Sequence, residues 1–194
     1  MDNTNVEKHI KELLSEIGEN TEREGLLETP KRVARMYKEL FRGYNEAEKP
    51  KITTFFNGAD GITTDQLITD TGDFHSHCEH HMVPFFGNYY FAYIPSAKGK
   101  ILGLSKVARI VDFYSAKLQI QERLVKNIVD ALWDALCEDG AEPPIAMGVV
   151  MKGEHLCKTM RGAKKKGKMT TSELRGELLI NDSLRQEFLS LMSL

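Results

Sequence analysis

Two short segments rich in histidine and cysteine constrain the fold of this chain more than any other feature. Residues 74–81 read Phe-His-Ser-His-Cys-Glu-His-His and hold four of the six histidines, and residues 154–157 read Glu-His-Leu-Cys. Cys78 and His81 are separated by two residues, a spacing at which one turn of backbone can chelate zinc. Cys157 is the natural third ligand. A metal held by this set therefore requires a fold that brings together two segments far apart in the sequence.

The expected site has three protein ligands, which leave the fourth tetrahedral position for water, as in catalytic zinc sites. Thiolate and imidazole ligands select a borderline-soft divalent metal, and zinc and iron(II) accept similar sets. A structural zinc site is the alternative, because it would take His75, His77 or His80 as a fourth ligand and keep no water. The spacing alone leaves both alternatives open.

In the three-ligand site, His80, Cys137 and His155 are not expected to bind the metal. If residues 154–158 are extended, His155 and Cys157 point to the same face, so that an imidazole lies beside the metal without binding it. His80 can lie there in the same way, because it need not share the direction of the next residue. Cys137 falls in an apolar helical pattern and is expected in the core.

Composition limits the class of protein. The 194 residues suit one domain with a core, or one domain with a helical extension, and the net charge of -2 argues against a dedicated nucleic-acid binder. The first residues lack a signal peptide pattern, and no apolar run approaches the roughly 18 residues of a membrane span. Three cysteines, two of them beside histidines, fit a reducing compartment. We therefore expect a cytoplasmic protein without nucleic-acid or membrane partners.

Residues 1–63 are predicted to form an N-terminal helical region and a connector. The first helix has an apolar stripe that ends near Gly18, and Thr29 is predicted to cap a second helix closed by Gly43. The stripe of the first helix comprises Val6, Ile10, Leu13, Leu14 and Ile17, and that of the second comprises Val33, Met36, Tyr37, Leu40 and Phe41. Pro50, Gly58 and Gly61 mark the connector.

Residues 64–194 are predicted to form the second part, with strands, two helices and two more strands before a C-terminal helix. A strand from Leu67 enters the metal motif, residues 84–88 are predicted to be a turn, and residues 89–94 a second strand. Ser105 is expected to cap a helix, which precedes one at residues 119–137. The remaining predicted elements are strands 145–151 and 169–175 and a helix at 183–192. This order indicates an α+β domain, with an antiparallel four-stranded sheet and two helices on one face.

Several cations are placed to meet an anion near the metal. Lys106 and Arg109 share a helix face, and Arg161 follows Cys157 by four residues, with a guanidinium fork that suits phosphate oxygens. Together with the hydroxyl of Ser105 they would supply the cationic surface that a triphosphate requires. The lysine run at residues 164–166 is expected only to be solvated.

Five separate motifs resemble GTP cyclohydrolase I. They are Cys78-Glu79-His80-His81, Gly103-Leu104-Ser105-Lys106 running to Arg109, Gln119-Ile120-Gln121-Glu122-Arg123, His155-Leu156-Cys157 and Met160-Arg161-Gly162. The resemblance also takes in residues 23–26, 29–33 and 171–172, so that it covers about residues 20–190 in unbroken order.

The resemblance implies a tunnelling fold, whose sheets join side by side into a multi-subunit barrel, and a homodecamer with active sites shared between subunits. It implies Zn²⁺-dependent hydrolytic opening of the guanine ring of GTP at C8, release of formate and rearrangement to 7,8-dihydroneopterin triphosphate, the first step of tetrahydrofolate and pterin biosynthesis. The implied metal ligands are Cys78, His81 and Cys157; the implied catalytic residues are His80, His155 and Ser105; and the implied substrate-binding residues are Glu122, Gln121, Lys106, Arg109 and Arg161.

Two positions depart from the family pattern, namely His77 just before the ligand cysteine and Met169 in the alternating threonines before Thr171. Rival classes fit less well. A related tunnelling-fold pterin enzyme would bind metal through histidines only, and a zinc nucleobase deaminase would show Pro-Cys-x-x-Cys, which this sequence lacks.

Overall fold

The computed structural model describes residues 3–59 and 61–192, so the predicted domain limits at residues 1 and 194 lie outside the described part of the chain. The helices are α1 (Asn3–Glu16), α2 (Thr29–Leu40), α3 (Leu104–Ser115), α4 (Gln121–Leu136), α5 (Leu156–Thr159), α6 (Glu177–Ile180) and α7 (Asp182–Leu191). The strands are β1 (Thr54–Phe56), β2 (Ile68–Cys78), β3 (Pro84–Ile94), β4 (Lys100–Leu102), β5 (Leu118–Gln119), β6 (Ala146–His155) and β7 (Lys168–Gly176). Within these ranges, no helix is long and apolar enough to cross a membrane.

The main sheet has the strand order β5-β2-β3-β6-β7. Strands β2, β3, β6 and β7 pair antiparallel, and β5 adds two residues parallel to the end of β2. A second sheet pairs β1 with β4. The predicted α+β class with an antiparallel sheet is confirmed. The sequence did not indicate β1 and β5, because strands of two or three residues are too short to show an alternating pattern.

Alternate residues of the long strands enter two different cores, because successive side chains point to opposite faces of a sheet. On one face, Phe91 and Val149 pack with buried side chains of α3 and α4. On the other face, Ala92 and Val150 pack in a cluster with Leu178 of α6 and Phe188 of α7. Where helices cover both faces of the sheet, consecutive residues of β3 and β6 are therefore hydrophobic. Helices lie on both faces, whereas the sequence predicted two helices on one face.

Helix α4 forms because its apolar residues recur every fourth position. Leu124, Ile128 and Leu132 are fully buried against the sheet, and each such side chain contributes about 1.5–3 kcal/mol by leaving water. The helix begins at Gln121, two residues later than predicted, because residues 118–119 pair with β2 instead.

The predicted helix caps were wrong in detail. Helix α3 begins at Leu104, so that its N-cap is Gly103 rather than Ser105, and no side chain caps it. Helix α2 begins at Thr29 itself and ends at Leu40. The predicted end residue Gly43 is instead buried where a Cβ atom would overlap the carbonyl oxygen of Phe113. This glycine allows the N-terminal region to approach α3 closely.

The turn predicted at residues 84–88 is also wrong, because β3 begins at Pro84. The chain reverses before it, where the amide of Cys78 donates to the carbonyl of Val83 at 2.9 Å. Gly87 is not a turn residue: it lies inside β3, where a Cβ atom would overlap the carbonyl oxygen of Lys152. The glycine serves close packing of β3 on β6, which local sequence patterns do not distinguish from a turn.

Candidate metal centre and active site

The predicted metal ligands come together at one end of the sheet. Cys78 is the last residue of β2, His81 lies in the turn to β3, and Cys157 lies in α5. The ligand atoms of these three residues all lie within 4.8 Å of one another. The left-handed backbone of Met82 (φ 55°) closes the turn, and its amide donates to the carbonyl of Cys78 at 2.8 Å. This tight turn brings His81 back beside the end of β2.

Cys157 reaches the site from a helical turn, not from a strand. The extended conformation predicted for residues 154–158 is wrong, because β6 ends at His155 and Leu156–Thr159 is helical. The cause is the end of the partner strand: His155 pairs with Phe85, and β3 extends only one residue further. Cys157 and His155 therefore do not share a strand face.

The three donors fit a metal such as zinc. With Zn–S bonds of about 2.3 Å and Zn–N bonds of about 2.0–2.1 Å, tetrahedral ligands lie about 3.4–3.8 Å apart, and the observed upper limit of 4.8 Å is reached from there by small side-chain rotations. Arg161 Nη1 donates to His81 Nε2 at 2.7 Å, so Nε2 uses the lone pair of the neutral ring and Nδ1 carries its hydrogen; a metal bound at either nitrogen would displace the Arg161 contact. Burial raises the pKa of the Cys157 thiol, and neighbouring Cys78 raises it further. A divalent cation would oppose both effects.

His80 lies beside the three ligands without joining them. Its Nδ1 is 3.7 Å from Cys78 Sγ, and the ring is exposed. Its ring centroid lies 6.4 Å from that of His81, and the two planes are inclined by 71°. His80 and His81 therefore point in different directions, as expected, and the imidazole of His80 is available at the edge of the metal group.

His75 and His77 are not brought to the metal group. They belong to the face of β2 opposite Cys78, since side chains alternate along the strand. His75 stacks on Phe86 with centroids 5.9 Å apart, and His77 meets the edge of Phe41 at 5.3 Å. The structure thus gives no support for either as the fourth ligand of a structural zinc site.

His155 is held by two neighbours. Its ring stacks on Phe85, with centroids 4.6 Å apart and planes 6° from parallel. Its Nε2 lies 2.9 Å from Gln121 Oε1. Burial lowers the pKa of His155; Glu122 raises it in opposition, and Lys158 lowers it further. A half-buried imidazole two residues from Cys157 can exchange a proton with a bound molecule.

The first turn of α4 places two predicted residues differently. Gln121 is buried, whereas Glu122 is exposed, and the Glu122 carboxylate forms no hydrogen bond or salt bridge with another residue in the described ranges. Glu122 is close enough to act electrostatically on His155. Its carboxylate is thus available to a ligand that binds near His155.

A salt bridge that the sequence did not single out ties the metal turn to α4. Arg123 pairs with Glu79, and its Nε donates to Gln119 Oε1 at 3.0 Å. The amide of Glu79 donates to the carbonyl of Gln119 at 3.1 Å. These residues lie inside the quoted motifs, but their spacing alone does not indicate that they meet. They fix the start of α4 relative to the turn that carries His81.

Ser105, Lys106 and Arg109 are not at this end of the sheet. Ser105 and Lys106 lie in the first turn of α3 and Arg109 in its middle, and Ser105 lines a cleft with Asp70 and other residues of β2. The opposite end of α3 leads to β5, which pairs with Cys78. A helix of 12 residues spans about 18 Å. Within one chain, these three residues are therefore separated from the metal group.

Comparison with known proteins agrees with this site. The family profile of GTP cyclohydrolase I matches residues 6–193. GTP cyclohydrolase 1 of Clostridium perfringens (strain 13 / Type A) is 41% identical over 196 residues, which cover 100% of both chains. The protein of that name from Caldanaerobacter subterraneus is 43% identical over 194 residues, 100% of this chain and 98% of the relative. GTP cyclohydrolase 1 of Bacillus pumilus is 44% identical over 186 residues, 95% and 93% of the two chains. With the profile spanning nearly its whole length, this chain belongs to the GTP cyclohydrolase I family.

Proposed function

We propose that this chain catalyses the zinc-dependent hydrolytic opening of the guanine ring of GTP, with release of formate and rearrangement to 7,8-dihydroneopterin triphosphate. The observation that carries the proposal is the convergence of the ligand atoms of Cys78, His81 and Cys157 within 4.8 Å; His155 lies two residues before Cys157, at the end of β6. Zinc held there supplies a nucleophile from water near neutral pH. Two thiols and one imidazole are donors that zinc accepts readily.

The chain's own histidines handle protons. His155 protonates the ring nitrogen next to C8 of the guanine, because it ends β6 two residues before Cys157 and its imidazole is partly shielded from water. His80 is the acid or base for the later steps on the ribose, because it is exposed beside Cys78 and free to meet a moving sugar. A histidine suits both tasks because its ordinary pKa lies near the working pH.

Glu122 recognises the base, and cations bind the triphosphate. An ionised carboxylate can accept both the N1 hydrogen and the N2 amino hydrogen of guanine, whereas Gln121, which the resemblance also assigns to substrate binding, is buried behind it. Arg161, exposed beside His81, suits phosphate oxygens. Lys106 and Arg109, with the hydroxyl of Ser105, complete the cationic surface from a neighbouring subunit.

The neighbouring subunit follows from the position of α3 and from the surface of the chain. The tunnelling fold joins such sheets edge to edge, and in the described chain β7 pairs on one side only, so its other edge must be covered or paired. Leu13, Ile17 and Met36 of the N-terminal region are exposed. These features support a homodecamer in which the start of α3 from one subunit completes the site of the next.

We further propose the division at residue 63 between the helical region with its connector and the catalytic domain, although β1 of the first part pairs with β4 of the second. The proposed place of the enzyme is the cytoplasm, at the entry to tetrahydrofolate and pterin biosynthesis.

Incubation of the purified, zinc-loaded protein with GTP tests the proposal. Formate and a product with pterin absorbance should appear together, and ATP should yield neither. Appearance of GDP or GMP without formate would overturn the proposal.

A further inference from the structure

The side chain of Gln121 makes all its hydrogen bonds inside the protein. It is only 1% exposed, at the first position of α4. Its amide nitrogen donates to the carbonyls of Met151 (3.0 Å) and Met169 (3.2 Å) and to the hydroxyl of Thr171 (2.9 Å). An amide nitrogen has two hydrogens, so these acceptors use all that it can donate.

These partners fix which end of the amide faces His155. The two carbonyl oxygens can only accept, so an amide turned by 180° would set its own oxygen against them. Gln121 must therefore present Oε1 to His155 Nε2, 2.9 Å away. Because Oε1 cannot donate, the hydrogen of this bond belongs to the histidine. The neutral ring of His155 is thereby held as the Nε2–H tautomer, and Nδ1 carries the lone pair.

The position of the ring is fixed as closely as its tautomer. Phe85 lies parallel to it across the strand pair, with centroids 4.6 Å apart. Gly153 leaves the room that the amide occupies, because a Cβ atom there would come within 2.5 Å of Gln121 Oε1 and 3.1 Å of Phe74. The hydrogen bond, the stacking and the glycine together leave the imidazole one orientation.

We propose that Gln121 is a positioning residue, which acts on the reaction through His155 and does not itself bind the base. It keeps the hydrogen on Nε2, so that the proton exchanged with GTP leaves from and returns to Nδ1. The proton balance is simple: the protonated ring gives its Nδ1 proton to the guanine ring nitrogen, and the other hydrogen stays on Nε2, where it is donated to Gln121 Oε1. This inference rests on the proposed role of His155 as the proton donor.

Gln121→Met tests the proposal kinetically, because methionine has a similar length but no amide. We expect kcat for GTP to fall by about 10- to 100-fold, as when an outer partner of an active histidine is lost, and KM to stay within about threefold. Thr171→Val is the matched control, since it removes one acceptor of the Gln121 amide but leaves both carbonyl partners; a smaller loss than that of Gln121→Met is expected. A KM that rises tenfold with kcat unchanged would mean that Gln121 binds the base directly.

A binding cycle separates the two roles further. In zinc-loaded His155→Ala protein, adding Gln121→Met should change the dissociation constant for GTP by less than about threefold, because nothing remains for Gln121 to position. A weakening of tenfold or more would overturn the proposal. If Gln121→Met does not fold, Gly153→Ala displaces the same amide and should reproduce the loss of kcat.

The tautomer can be read independently of activity. ¹⁵N spectra of histidine-labelled protein should show His155 protonated at Nε2 in the parent, and a mixture of tautomers in Gln121→Met. A parent protein that shows this tautomer but releases no formate would refute the proposed function and leave the tautomer assignment standing. A parent with Nδ1–H at His155 would refute the positioning role itself.

Discussion

Glu122 offers a sharp separation between stability and function. It lies exposed in the first turn of α4, and its carboxylate forms no hydrogen bond or salt bridge with the rest of the described chain. A negative charge there favours the helix by about 0.3–1 kcal/mol. Alanine has the highest helix propensity, which offsets part of this loss of stability. Glu122→Ala should therefore lower the free energy of unfolding by less than about 1 kcal/mol.

The expected functional loss is far larger. If the carboxylate accepts two hydrogens of guanine, sites of this kind discriminate by about 10⁴-fold or more, which corresponds to about 5.5 kcal/mol at about 1.4 kcal/mol per factor of ten. The kcat/KM for GTP, the metal content and the thermal denaturation midpoint should be measured on the same preparation. Asp134→Ala, which removes an exposed acid from the same helix, is the matched control and should keep GTP turnover. A Glu122→Ala protein that turns over GTP at nearly the parent rate and still excludes ATP would refute this placement of the base.

Four further outcomes are expected. Cys157→Ala should lose most of its zinc by elemental analysis, and full retention would favour a site built on His77 or His80. Gly87→Ala should lower the free energy of unfolding by more than about 2 kcal/mol, measured by denaturant titration, because its Cβ would overlap the carbonyl of Lys152; an unchanged midpoint would contradict this packing. Zinc affinity, measured by competition with a chelator, should weaken as pH falls, because the thiols must lose protons to bind and the pKa of Cys157 is raised; an affinity independent of pH would count against thiolate ligands. Light scattering should report a large oligomer, and an active monomer would rule out shared sites.

The metal ligands could be predicted from the sequence because their chemistry is local. Cys78 and His81 are close enough along the chain to bind one ion in a tight turn, and few other residues of this chain offer a third thiol. The strands β2 and β7 were also predictable, since both are long. What the sequence could not give was the end of β6, because that end depends on where its partner β3 starts. The helical turn that carries Cys157 follows from this pairing.

The directions of side chains could not be predicted either, because they also depend on how the elements pack against one another. Gln121 and Glu122 are neighbours in one motif, yet one is buried and the other exposed. Only the packing of α4 on β6 and β7 decides which of them meets His155. Likewise, Ser105 belongs to a motif of the same family, but the length and direction of α3 place it far from Cys78. A sequence motif can therefore identify the residues of an active site, but it does not show whether they come from one subunit or from two.

The fate of C8 is the most direct test of whether the protein opens the guanine ring and releases formate. GTP labelled with ¹³C at C8 should be incubated with the zinc-loaded protein, and the label followed by NMR. All the label should be released as formate, one molecule for each molecule of pterin formed. Label retained in an unopened guanine nucleotide, with the nucleotide converted to another product, would contradict it.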